Sequence, residues 1–465
     1  MLKKVVVVVA VGVLLVCSNV LFGRDVQTFL PIVKLEFDMS QLSTDTFCAA
    51  QFMYIENEDT ATIAATIRHR GSSSTKFAKQ SYAVKLYDEF GAKKDTSFLG
   101  MREDNYWILD AMAVDKARMR NRVAMDLWLE YAVKPYYFAD EPEMKNGYDG
   151  YFVEVYVNED YRGIYCLMER VDRKQLKLKK NKGDKIQGVL YKSVSHVGPF
   201  FDQPLYDDYD DKSETWTRFE FVYPEPEDSL ITWKPLYDAM YLAASEPVDT
   251  FCKYASQTYD IPVFMDYELF TLLLSAKDNR GKNLYLSFYN IQKPEYLKVV
   301  FTPWDIDHSF GRTYNASIEE ADYTRVWGCR LNTRLINFYP DYEEQRAARY
   351  AYWRENAFDP EALSARFTAY FDLFRETGAA KREVERWNGV DGIVLDFDLE
   401  QMYISNWISE RVAYIDELLG YEPPVPTMLE RSHEMTNKPR KVIENGTLYI
   451  ILPDGTRYTI TGMKK

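Results

Sequence analysis

The residues with the clearest chemical potential lie between Ala276 and Gly311, which read AKDNRGKNLYLSFYNIQKPEYLKVVFTPWDIDHSFG. Two polar knots, D-N-R-G-K-N and W-D-I-D-H, flank two runs, 284–290 and 296–302, that alternate apolar and polar positions and are rich in strand formers. The joining segment carries Pro294, which suits a turn. A hairpin reverses the chain, so residues before its first strand meet residues after its second. Asp278 and Asn283 are thereby brought towards Asp305 and Asp307. Three carboxylates and an amide at one point repel unless a cation compensates them. Magnesium takes hard oxygen ligands, one or two of them carboxylates, and leaves the rest of its shell to water and phosphate.

The chemistry this suggests is metal-assisted phosphoryl transfer. In protein kinases an Asp positions the acceptor hydroxyl, an Asn five residues later holds one metal, and an Asp after the next strand pair holds metal again. Asp278 and Asn283 have that spacing, and Asp305 has that place in the order. Taken alone, Asp and Asn beside Gly read as turn formers. The two knots together with the hairpin favour the metal–phosphate site. Such a site also needs a lysine on a strand of the first half. "YAVKL" (82–86) offers Lys85, opposite the face shared by Tyr82, Val84 and Leu86. Upstream, "RGSSSTK", from Arg70 through Ser73 to Lys76, is a small-residue loop whose amides and hydroxyls suit a phosphate nest, or equally a solvated surface.

The elements that must hold these residues change character along the chain. Strand patterns occur at 30–37, 48–56, 61–71 and 81–91, and 150–172 reads as a hairpin turned at Asn158-Glu159-Asp160. One helix is expected over 115–132, with Asp115 as its N-cap. Helical patterns cover 262–276, 341–357, 359–377 and 398–420, the last stopping on Gly420. A proline linker (421–427) precedes a small hairpin at 445–462 with Asp454-Gly455 at its turn. The expected plan is α+β in two lobes: a β-rich lobe over 24–165, a mainly helical lobe with the catalytic hairpin over 166–422, and a tail over 423–465.

The 465 residues exceed one ordinary core. A net charge of −14 argues against a general nucleic-acid binder. Residues 1–23 begin with Lys3 and Lys4 before an apolar run, the layout of a signal peptide or membrane anchor, so the protein is expected to be exported: periplasmic, cell-surface or membrane-anchored. Five scattered cysteines without C-x-x-C pairs make neither a disulfide framework nor a zinc site, and only four histidines are present.

The segments RGSSSTKFAKQSYAVKLYD, NYWILDAMAVDKARMRNRVAMDLW, GYFVEVYVNEDYRGIYCLMERVD, AKDNRGKN and FTPWDIDHSFG occur in one order over about 30–419. Together they resemble the CotH kinase family, named for the spore coat protein H. The resemblance implies an atypical, two-lobed protein-kinase-like fold. It implies ATP with Mg2+ or Mn2+, and phosphate transfer to Ser or Thr of exported proteins. By that carry-over Lys85 holds phosphates, Asp278 orients the acceptor hydroxyl, and Asn283 and Asp305 hold metal, with Asp307 a second candidate. Glu169 marks a hinge presenting backbone to adenine. Asp126 and Glu130 are the helix carboxylates available to Lys85. The chain departs from the kinase pattern in lacking H-R-D and D-F-G, and ATP is scarce outside the cytoplasm. A non-catalytic surface-adhesion or coat-assembly protein is therefore the alternative reading.

Overall fold

Strand-forming sequence from Ile32 onward closes on itself. The computed structural model describes residues 27–71, 73–195, 209–225, 230–312 and 322–424, and strands within 440–459. Seven strands, β1 (Ile32–Phe37), β2 (Cys48–Glu56), β3 (Asp59–Arg70), β4 (Ser81–Tyr87), β5 (Tyr106–Asp110), β6 (Gly150–Val157) and β7 (Asp160–Met168), form a closed barrel in the order β1-β2-β3-β4-β5-β7-β6. Closure is the parallel pairing of β1 with β6, which leaves no free edge between them. Every second side chain points inward: Val33 and Leu35, Tyr82, Val84 and Leu86, Trp107 and Leu109 share one buried core. The hairpin turn between β6 and β7 has Asn158 and Glu159 both at positive φ, the geometry that matches strand twist.

Strand β5 and its chain-order neighbour, helix α1 (Arg120–Tyr131), enter where the sequence shows one helix only. The helix starts five residues later than expected. Asp115 still serves its first turn, because its Oδ2 accepts from the backbone N–H of Met119 (2.8 Å) and Arg120 (2.7 Å). Although rich in charge, α1 is buried over Arg120–Trp128.

A second sheet has the order β12-β11-β8-β10-β9. Its strands are β8 (Val189–Ser193), β9 (Thr215–Trp216), β10 (Phe219–Tyr223), β11 (Leu284–Phe288) and β12 (Val299–Pro303). β11 and β12 are the expected hairpin, with Leu284 opposite Pro303, so both polar knots emerge at the same end. The helices of this half are α2 (Lys234–Ala244), α3 (Val248–Thr258), α4 (Ile261–Leu273), which packs on β12, α5 (Arg330–Phe338), α6 (Tyr342–Asn356), α7 (Pro360–Glu376), α8 (Ala379–Trp387), which packs on β7 of the barrel, and α9 (Phe397–Leu419). The molecule is thus a mixed α+β protein, β-rich first and helical later. The closed barrel differs from the open small-lobe sheet of an ordinary protein kinase.

Residues 416–465 group as a separate unit. There the expected hairpin gains a third strand: β13 (Arg440–Glu444), β14 (Thr447–Ile451) and β15 (Arg457–Thr459) form one antiparallel sheet. The Asp454-Gly455 turn and the expected leader, 1–23, lie outside the described residues. Among the described residues no helix is long and apolar enough to cross a membrane.

Candidate functional site

The two knots are clipped together by their own amides. Asp278 lies in a single 3-10 turn, Asp278–Arg280, just beyond α4. Asn279 Nδ2 donates to the carbonyls of Asn283 and Trp304, each at 2.8 Å. Asn283 Nδ2 donates to the carbonyl of Asp305 at 3.1 Å, and the Trp304 N–H returns a bond to the Asn283 carbonyl. Asn283 (φ 55°) and Asp305 (φ 53°) are both left-handed, a conformation in which Asn and Asp are enriched among residues with a Cβ. The polar composition of the knots therefore builds backbone geometry as well as facing the cavity.

That cavity, about 590 Å3, opens between one end of the barrel and one end of the second sheet. Arg68 and Arg70 at the end of β3, Ser81 at the start of β4 and Asp110 at the end of β5 line the barrel side. Lys192 of β8 and Glu220 of β10 line the sheet side, and Asp278, Asn283, Asp305, Asp307 and His308 come from the knots. Asp110 is held by Ser81 Oγ (3.2 Å) and the Met112 N–H (3.2 Å). Asn121 of α1 joins the two sides: its Nδ2 donates to Asp110 at 3.4 Å and its Oδ1 accepts from the Ile306 N–H at 3.0 Å. The Arg70 guanidinium sits 5.0 Å above the Trp304 ring.

Beyond Asp307 the chain is pinned. Arg120, wholly buried, donates through Nε to the Ser309 carbonyl (3.1 Å) and through Nη2 to that of Phe310 (3.3 Å). Its charge is answered by Asp115 and by Glu400 of α9, both at 2.6 Å. Gly311 (φ 86°) closes the segment, and a Cβ there would lie 2.7 Å from Tyr403 Oη and 2.8 Å from the Trp407 ring.

Crowded acids in a partly buried place resist ionisation. Burial, together with Asp305, Asp110 and Asp278, pushes the Asp307 carboxyl up to about 8 against the opposing pull of His308. Burial and Asp110 likewise raise Asp305, while Arg70 and His308 oppose. Burial disfavours a charged His308 ring, but Asp307 and the hydrogen bond to Asp278 outweigh it and lift the ring to about 9. Burial, with Arg70 nearby, lowers Lys192, with Glu220 and Asp305 opposing.

Of the residues singled out in the sequence, Arg70, Asp278, Asn283, Asp305 and Asp307 line this one cavity. The Ser73 side chain lies outside the described residues, while its neighbours Gly71 and Ser74 line the wall. Lys85 is placed elsewhere. The face of β4 opposite the barrel core carries it over the rings of Phe47 (4.3 Å) and Tyr106 (5.3 Å), and it is not among the lining residues. Asp126 bonds to Tyr370 Oη and Glu130 to Arg366, each at 2.9 Å, rather than to Lys85. Glu169 is buried, and its carboxylate accepts from Lys145, Gln175 and the backbone N–H groups of Arg102 and Asp149. That side chain ties the end of β7 to its neighbours. The residues sequence reasoning did not single out are Asp110, Lys192, Glu220 and His308. "YWILD" and "VLYKS" are short strand runs whose last or near-last residue is charged, a signal too common to read without the partner strand.

Among the described residues no three His, Cys, Asp or Glu side chains form a ready-made metal cage. The donors facing the cavity are hard oxygens whose mutual repulsion a cation would relieve. Hard oxygens of this kind are what magnesium or manganese would take, and Asn283, Asp305 and Asp307 are the residues that would hold it. The model of the family described as CotH kinase protein matches residues 67–415, three-quarters of the sequence, and the chain belongs to that family. No curated protein matches it.

Proposed function

We propose that this CotH kinase family member is an exported, atypical two-lobed kinase that transfers phosphate from ATP to Ser or Thr of secreted or surface proteins. The observation that carries the reading is the convergence of Asp278, Asn283, Asp305 and Asp307 with two cations, Arg70 and Lys192, on one cavity. In this reading the barrel serves as the small lobe, and the second sheet with its helices as the large one. Bound ATP would supply the phosphoryl group, and a divalent cation would neutralise its charge.

The chain's own residues then divide the work. Asn283, Asp305 and Asp307 would hold the cation, whose charge would favour the ionised form of the two carboxylates that burial disfavours. Arg70 and Lys192, on opposite walls, face the phosphates. Lys192 takes the part that the resemblance gives to Lys85. Asp278 orients the acceptor hydroxyl, acting through position, since little covalent chemistry falls to the protein in a loose transition state. The N-terminal apolar segment supports export.

The test is incubation of purified protein with labelled ATP and Mg2+ or Mn2+, with and without a surface-protein acceptor, beside Asp278→Ala. The wild type should label, and the variant should lose on the order of 10²–10⁴ in rate. Equal label in both, or none in either, would falsify the reading. The placement of Lys85 outside the cavity favours a second reading, a non-catalytic adhesion or coat-assembly protein. Absence of any ATP-dependent rise in thermal stability would select it.

A further inference from the structure

Among the cavity residues that the phosphotransfer reading leaves without a part is a histidine at the centre of the two knots. His308 follows Asp307 directly, and its Nδ1 lies 2.9 Å from Asp278 Oδ2. An ionised Asp278 can only accept, and Nδ1 is then the donor of that bond. Its Nε2 lies 3.7 Å from Asp307 Oδ1. The imidazole therefore spans the two knots, touching the carboxylate before the hairpin and facing the carboxylate after it.

The backbone that carries the ring is held from behind, while the ring's own hydrogen bond is the one to Asp278. Arg120 grips the carbonyls of Ser309 and Phe310, the Phe310 N–H bonds to the Leu274 carbonyl, and Ser309 Oγ donates back to Ile306. Leu274 is the C-cap of α4, the helix that leads into Asp278. The backbone carrying His308 and the backbone carrying Asp278 are thus fixed to each other within a few residues of the contact. A ring carried on so fixed a backbone can orient the carboxylate it bonds, as groups behind a reacting residue do elsewhere.

We propose that His308 is a positioning residue that fixes the orientation of Asp278 through its Nδ1–H. The proposal rests on the phosphotransfer reading for its kinetic consequence and on geometry alone for the pairing.

The experiment uses the full chain and three variants. His308→Phe removes the donor, His308→Asn places an amide N–H near Nδ1, and His308→Gln places one near Nε2. Expected is a kcat about 10- to 100-fold lower for His308→Phe, with KM for ATP unchanged, recovery by His308→Asn, and no recovery by His308→Gln. Wild-type turnover in His308→Phe, or equal turnover in the Asn and Gln variants, overturns the proposal. Ring 15N spectra give a readout independent of turnover, since only four histidines need assignment. The His308 signals should report a protonated, hydrogen-bonded Nδ1 that changes in Asp278→Ala. Ring signals untouched by that change also overturn the proposal, even where His308→Phe fails to fold. If the wild type transfers no phosphate, the phosphotransfer reading falls by itself and the ring spectra alone decide the pairing.

Discussion

At the residue scale the lysines differ most from their sequence reading. Lys85 has the right strand and the right alternation, yet strand parity turns it onto Phe47 and Tyr106. Lys192 stands in the cavity, in register with Glu220 on one side and Tyr285 on the other. A charged group meeting phosphate in a half-buried site contributes about 1.5–3 kcal/mol. Lys192→Met should therefore raise KM for ATP about 10- to 100-fold, whereas Lys85→Met should leave it near the wild-type value. Steady-state kinetics on both variants decide between the two lysines, and the reverse pattern would restore Lys85. The acids were more legible than the cations. Asp278, Asn283, Asp305 and Asp307 sit at the ends of one local hairpin, whereas Lys192 and Asp110 reach the cavity only through long-range pairing.

Among the elements, α8 shows what locks the helical region to the barrel. Its Glu383, with no exposed surface, accepts from Lys79 (2.7 Å) and Arg118 (2.8 Å) through Oε1 and from the Ile164 N–H (2.7 Å) through Oε2. Gly163 of β7 leaves the room: a Cβ there would lie 2.0 Å from that carboxylate. Glu383→Ala strands two buried cations and should cost about 3–5 kcal/mol, read as a lower denaturant midpoint. The same group predicts a pH dependence. Burial opposes its ionisation, but Lys79 and Arg118 outweigh burial and hold Glu383 below its ordinary 4.5. Its stabilisation is therefore complete above about pH 4.5 and is lost as pH falls through the depressed value. Acid unfolding of Glu383→Gln should be shallower than that of wild type over this window. A steeper or unchanged acid limb would show that the glutamate is not the group responsible. Nothing in the local sequence marks Glu383, because its partners lie about 220 to 300 residues away in the chain.

For the whole molecule the cavity predicts a ligand effect. A nucleotide bound between barrel and sheet stabilises the folded state by mass action, by about 2.7 kcal/mol at a hundred times its Kd. ATP with Mg2+ should raise the thermal midpoint of the wild type. The rise should be largely lost when Asp305 and Asp307 are both changed to Asn, because the cation then lacks its charged ligands. A full shift in that double variant would remove the two acids from the metal role.

The sequence by itself determined the local parts: the strand hairpin and its two knots, the β-rich first half and helical second half, and the family blocks in their order. These rest on alternation, turn chemistry and short-range spacing, which act over a few residues. Tertiary structure alone decided that the first seven strands close through a parallel β1–β6 contact. It also decided that Asp110, Lys192 and Glu220 share the site with Asp278. Barrel closure and cavity lining depend on which strands pair across tens of residues to more than a hundred, and alternation reports which side chains share a face but not what that face meets.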